Sequence, residues 1–138
     1  MISVVLDTNL VVSAHLNSEG YERYVIDLIL AGKLALCASA EIFSEYEGVL
    51  RRKKLGISAR HANASLRLLR KAARIVTPYT RVRATADPDD NNFLECAEAS
   101  RAEFVVTGNK RHVPKKWRET QVVTARELLE WIVPDLSR

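Results

Sequence analysis

Oxygen-bearing side chains recur at four places along this chain of 138 residues. Asp7 closes the apolar run that starts at Ile2 and is followed at once by Thr8 and Asn9. Glu45 lies three residues after Ile42 and four before Val49, on the border of an apolar helical stripe rather than opposite it. Asp87, Asp89 and Asp90 crowd together just before the apolar Phe93 and Leu94. Thr107, Gly108 and Asn109 end a further apolar run, Phe104 to Val106. Two carboxylates about 4 Å apart repel by roughly 4 kcal/mol at an effective dielectric near 20. Acids that converge therefore call for a cation, and oxygen donors without His or Cys suit Mg²⁺ or Mn²⁺.

Each acid also has a plainer use. Asp-Thr-Asn is good turn and helix-capping chemistry, and one acid of the 87–90 cluster serves equally as a cap for the helix that follows. Glu45 is costly at a buried border unless it is paired or metal-bound. His15, His61 and His112 are too scattered for a zinc site, and Cys37 and Cys96 have no metal-ligand spacing. Both cysteines read as buried thiols of a reducing cytoplasm.

The elements that must position these acids alternate along the chain. Short apolar runs predict strands at Ile2–Leu6, Leu34–Ala38, Phe104–Val106 and Gln121–Val123, with a short edge strand at Ile75–Thr77 before Pro78. Leu10–Leu16 predicts a short helix or extended turn. Tyr21, Tyr24, Val25, Leu28 and Ile29 form an amphipathic stripe that Ser18 is placed to cap and Gly32 to end. Ser39 opens a helix to about Arg52 with Ile42, Phe43, Tyr46, Val49 and Leu50 on its buried face. Ser58 opens another to about Arg74, with the narrow stripe Ala62, Leu66, Leu69 and Ala73. Thr80–Ala86 reads as an exposed linker, and Thr124 with Glu127 as a capping box for a last helix. The pattern predicts one α/β domain over 1–138, a three-layer α/β/α sandwich on a mainly parallel sheet of four to five strands. In such a fold Asp7, Glu45 and Asp90 can meet beyond the carboxyl ends of the central strands.

Charge is spread unevenly. Lys and Arg number 21 against 17 acids, a net +4. Arg51, Arg52, Lys53 and Lys54 form one block, and Lys110, Arg111, Lys115, Lys116 and Arg118 another, in what reads as a basic loop. These are solvated helix ends or patches for a polyanion. No apolar run reaches the roughly 18 residues of a membrane span. The start of the chain lacks the features of a signal peptide, so a cytoplasmic protein is expected.

Four motifs in this order, Val5-Leu-Asp-Thr-Asn9, Ser44-Glu-Tyr-Glu-Gly-Val-Leu50, the stretch from Asp87 to Glu95, and Val106-Thr-Gly-Asn-Lys110, resemble those of the PIN-domain nucleases. The likeness is strongest to the toxin branch of type II toxin–antitoxin systems (VapC-like ribonucleases) and covers nearly the whole chain. The resemblance implies metal-dependent hydrolysis of phosphodiesters in single-stranded RNA, with Mg²⁺ or Mn²⁺ as cofactor. Asp7, Glu45 and Asp90 would then be the catalytic and metal-binding acids, with Asp87 and Asp89 as substitutes or supports for Asp90. Asn109 stands where many members carry an acid; its amide oxygen still coordinates a metal but brings no charge. Thr8, Asn9 and Thr107 would position acids and waters. Arg51, Arg52, Lys110, Arg111, Lys115 and Lys116 would contact RNA or an acidic antitoxin. The likeness also implies a homodimer and a small antitoxin partner. Two other readings remain: an RNA-processing PIN nuclease, and a catalytically weak domain that binds RNA or protein because Asn109 replaces an acid.

Overall fold

The computed structural model describes residues 1–81, 88–108 and 115–136; the side chains of 88–90 and 133–136 lie outside that description. In chain order the elements are β1 (Ser3–Leu6), α1 (Thr8–Leu16), α2 (Tyr21–Leu30), β2 (Ala35–Ala38), α3 (Ala40–Leu50), a single 3₁₀ turn (Lys53–Leu55), α4 (Ala59–Ala72), β3 (Arg74–Ile75), α5 (Pro88–Ser100), β4 (Phe104–Thr107), β5 (Lys116–Trp117), β6 (Thr120–Thr124) and α6 (Ala125–Leu136).

The strands form one sheet in the order β3-β2-β1-β4-β6-β5. Every pairing is parallel except β5 with β6. β1 is central, and Val4, Val5 and Leu6 are fully buried, as is expected of a strand covered on both faces. β1, β2 and β3 step outward in one direction, so the helices between them lie on one face. The connection from β3 back across to β4 carries α5, which packs on β1, β2 and β4 from the opposite face. α3 touches helices of both layers, α1 and α5. It starts just past the carboxyl end of β2.

The sheet has six strands, one more than the sequence pattern predicts. The extra one is β5, inside the stretch expected to be a basic loop. Lys116 pairs with Gln121 and Trp117 with Thr120, through a tight turn in which Arg118 adopts a φ of 54°. A strand of two residues has no periodicity of its own and exists only through its neighbour. Lys115 and Lys116 are exposed along this edge, which discourages further pairing.

Helix starts follow local capping chemistry. Ser39 accepts from Ile42 N–H at 3.2 Å and Ser58 from His61 N–H at 3.1 Å. Thr124 and Glu127 form a reciprocal capping box at 3.1 and 2.9 Å. Ser18 does not cap α2: the helix starts at Tyr21 with Gly20 as its N-cap, and the preceding turn is held by Asn17, whose Oδ1 accepts from Glu19 N–H at 3.1 Å. Gly32, at φ 76°, ends α2 as expected. Its N–H donates to Ile29 O at 3.0 Å, and that of Lys33 to Leu28 O at 2.8 Å. α4 buries only Ala62, Leu66 and Leu69, while Arg60, Arg67, Arg70 and Lys71 are exposed.

Two polar contacts hold helices in place. The Tyr46 hydroxyl, at the centre of the α3 core face, donates to the Leu6 carbonyl at the end of β1. His15 ties α1 to α4, with Nδ1 2.7 Å from Val11 O and Nε2 2.7 Å from the Ser65 hydroxyl. Its ring meets that of His61 edge-on at 5.8 Å. Burial, and to a lesser degree the charges of His61 and Arg23, holds the His15 pKa below its ordinary value despite the favourable Val11 carbonyl.

Replacing Tyr46 by Phe keeps the ring and leaves the Leu6 carbonyl without this donor; it should lower stability by about 1–3 kcal/mol in urea unfolding with an unchanged slope. Because folding favours neutral His15, the unfolded chain binds the proton more readily. Stability is therefore full above the unfolded pKa near 6.5 and falls as pH drops through the lower folded value. Thermal melts from pH 7.5 to 5 should show a decline that His15→Gln makes shallower.

Candidate active site

Strand register lines up one residue from each central strand along the carboxyl edge. Leu6 pairs with Val106, which sets Asp7 beside Thr107, and Thr107 pairs with Thr124. Val4 pairs with Leu36, which carries forward to Asp7 beside Ser39. The row Ser39–Asp7–Thr107–Thr124 is thus a run of hydroxyls around one carboxylate. Ser39, Asp7 and Thr124 each cap the helix that starts beyond them.

Asp7 is 8% exposed. Its backbone N–H donates to Val106 O at 3.0 Å, which locks it to β4. Its Oδ1 accepts from Leu10 N–H at 2.8 Å, and its Oδ2 accepts from the Thr107 hydroxyl. The capping use and the functional use of Asp7 are therefore compatible.

Glu45 reaches the same place from α3. The Thr8 hydroxyl, next in sequence to Asp7, donates to Glu45 Oε2. Glu45 is half-buried, and its chain neighbour Tyr46 is fully buried on the Leu6 carbonyl. Burial pushes the Tyr46 phenol well above its ordinary pKa, with further contributions from Asp7, Cys96 and Glu45. The phenol is neutral and acts as a donor anchor beneath two acids. Cys96, buried on α5 as expected, has its thiol pushed up to about 12, mainly by burial, and stays protonated.

The remaining expected residues divide clearly. Asp89 and Asp90 fall in the first turn of α5, which Pro88 opens at a position suited to proline; their side chains lie outside the described residues. Asp87, Asn109, Lys110 and Arg111 lie outside them entirely. Asn9 is exposed, and a Cβ built on Gly108 would come within 3.9 Å of its Cβ, so Gly108 lies close to the start of α1. Arg51 is engaged locally, with Glu47 at 3.1 Å and the Asn63 side chain at 2.7 Å, whereas Arg52, Lys115 and Lys116 are exposed.

Sequence reasoning passed over Asn91 and Glu95 as site residues. Both are buried, at 8% and 7% exposure, one turn apart on α5. The available signal was their i, i+4 spacing, which sets both on one side of the helix.

The donor set of Asp7 and Glu45 is anionic and oxygen-only, which fits a hard divalent cation. Among the described residues no group of three His, Cys, Asp or Glu side chains converges. The third and fourth donors expected from sequence, Asp90 and Asn109, are those whose side chains lie outside the description.

Comparison with known proteins follows the same outline. A family model described as the PIN domain matches residues 3–111, a span that includes Asp7, Glu45, Asp90 and Asn109. The uncharacterized protein MJ1680 of Methanocaldococcus jannaschii is 32% identical over 112 residues, which is 79% of this chain and 72% of that protein. The crystal structure of PAE2754 from Pyrobaculum aerophilum is similar with a TM-score of 0.62 at 16% identity, over 96% of this chain and 90% of that one. VapBC2 from Rickettsia felis, solved bound to a DNA fragment from their promoter, gives 0.58 at 13% identity, over 88% of this chain and 97% of the other. The two structural likenesses establish the shared fold, and the family model together with the methanogen relative establishes descent: the chain belongs to the PIN-domain family.

Proposed function

We propose that this PIN domain is a metal-dependent endoribonuclease that hydrolyses single-stranded RNA and acts as the toxin of a toxin–antitoxin pair. The observation that carries the reading is Glu45 bonded by the hydroxyl of Thr8, the residue that follows Asp7 at the carboxyl edge of the sheet. PIN domains are nucleases as a class, and the similar fold of VapBC2 supports an antitoxin partner.

In this reading Asp7, Glu45 and Asp90 hold one or two divalent cations, with Asn109 as a neutral fourth donor. When bound, Mg²⁺ or Mn²⁺ supplies Lewis-acid stabilisation of the charge that builds on the phosphate. The chain's own groups do the rest. Leu10 N–H and the Thr107 hydroxyl fix the Asp7 oxygens, and the Thr8 hydroxyl fixes Glu45. Glu45 orients the attacking water and accepts its proton. The water oxygen bonds to phosphorus as the bond to the 3′ oxygen breaks, and that oxygen leaves with a proton from solvent. Lys115 and Lys116, exposed on the β5 edge, and Arg52 neutralise the RNA backbone. Arg51, already bound to Glu47 and Asn63, adds less. The exposed aromatics Tyr21, Tyr24 and Trp131 on α2 and α6 offer the apolar surface that a homodimer would cover.

Purified protein should cut a mixed single-stranded RNA pool with Mg²⁺ or Mn²⁺ and not with EDTA. Asp7→Asn, which preserves the cap, should abolish cutting, and Thr107→Val should slow it by about 10- to 100-fold. A folded wild type free of antitoxin that cuts with neither metal would move the reading to a binding module. Asn109→Asp adds a charged ligand and should tighten cation binding, with cleavage at saturating metal changed by less than about tenfold, since an amide oxygen serves a hard cation. A much larger gain in rate would instead mark the natural site as impaired.

A further inference from the structure

Beside the carboxylate pair, toward β2, lies a cavity of about 300 Å³ that the mechanism leaves without a role. Its walls include Ser39 and Glu41 at the start of α3, Tyr79 and Arg81 in the segment after β3, and Asn92 and Glu95 on α5. By register Ser39 stands one strand from Asp7, a separation of roughly 4.8 Å. Glu41 precedes Glu45 by four residues of α3, about 6 Å along the helix. A guest in this cavity would abut whatever the Asp7–Glu45 site holds.

The cavity is built rather than incidental. The Thr80 hydroxyl donates to Glu98 Oε2 at 3.0 Å, which fastens the wall carrying Tyr79 and Arg81 onto α5. Its volume is at the small end of ligand pockets, enough for one base rather than a longer segment. Tyr79 is 73% exposed, and an aromatic ring at the rim of a polar cavity suits the stacking of an unpaired base. Two carboxylates against one guanidinium repel phosphate and select for hydrogen-bond donors. Glu95, at 7% exposure and with partners within the fold, lines the cavity from α5, and the exposed Glu41 lines it from α3. Guanine alone among the RNA bases presents two adjacent donors, N1–H and N2–H₂, to a carboxylate. Adenine and cytosine present one amino group beside an acceptor, and uracil's N3–H lies between two carbonyls. The Asn92 amide can donate to guanine O6.

We propose that this cavity is a base-recognition subsite that takes one unstacked guanine next to the phosphodiester to be cut. The proposal rests on the nuclease reading, and its test separates the two. Cleavage ends would be sequenced after wild type, Glu95→Gln, Glu41→Gln and Tyr79→Ala act on a random-sequence single-stranded RNA pool. In parallel, the Asp7→Asn protein would be titrated against labelled hexamers of adenosine with and without one guanosine. The expected result is guanine enrichment at one position flanking the cut. Glu95→Gln should reduce that enrichment by roughly tenfold or more, while Tyr79→Ala weakens cutting of all sequences. Glu41 and Tyr79 are exposed, so their variants carry the test if Glu95→Gln fails to fold. Cleavage without guanine preference, or a preference unchanged in every variant that folds, overturns the subsite and leaves the nuclease standing. No cleavage, but guanosine-selective binding that Glu95→Gln or Glu41→Gln removes, upholds the subsite and overturns the nuclease reading. Equal binding of the two hexamers without cleavage overturns both.

Discussion

The burial of one carboxylate organises this fold. Asp7 ends the central strand at a point almost closed to solvent, where a charge is tolerated only if its oxygens are hydrogen-bonded. Leu10 N–H and the Thr107 hydroxyl supply those bonds. The first starts α1, and the second, with the Asp7 N–H to Val106 O, closes β1 onto β4. The same contacts that satisfy the charge also set the strand register at the carboxyl edge. α1, α3 and α6 all begin at this edge, so their N-terminal dipoles further favour negative charge there.

Glu45 depends on a different anchor. Its position on α3 is decided by Tyr46, whose hydroxyl must find an acceptor because the phenol is fully buried. The acceptor is the last carbonyl of β1, one residue before Asp7. Placing Tyr46 there brings its neighbour within reach of the Thr8 hydroxyl. The pair of acids is therefore assembled by hydroxyl groups on the elements that carry them. The neutral phenol beneath adds no charge to compete with a cation.

The legible part of this structure is the part written in local chemistry. Ser39, Ser58 and the Thr124–Glu127 box announce helix starts because capping involves residues only three apart. The run from Val4 to Leu6 announces a buried strand because both its faces are covered. Glu45 stood out as an acid on an apolar border, and the fold gives it a partner. What sequence hid depends on distant neighbours. β5 exists only by pairing with β6, the Tyr46 acceptor is 40 residues away, and the burial of Glu95 depends on which side of α5 meets the sheet. The basic block at 51–54 looks uniform in sequence, yet Arg51 is held by Glu47 and Asn63 while Arg52 is exposed.

Charge placement sets a limit on how such a site can work. Exposed cations cluster at 51–54, on α4 and on the β5 edge, while the carboxyl edge between the layers holds Asp7, Glu45 and, toward β2, Glu41 and Glu95 with Arg81. A phosphate drawn in by the periphery meets repulsion at the centre unless a cation neutralises it. In the proposed nuclease, an acid at residue 109 would bind that cation more tightly and repel the phosphate more strongly when the cation is absent. On that reading the amide of Asn109 would shift the balance, with the cation held less firmly and the empty site less hostile to RNA. Cation occupancy, rather than RNA approach, would then be the step that sets when the proposed site is competent.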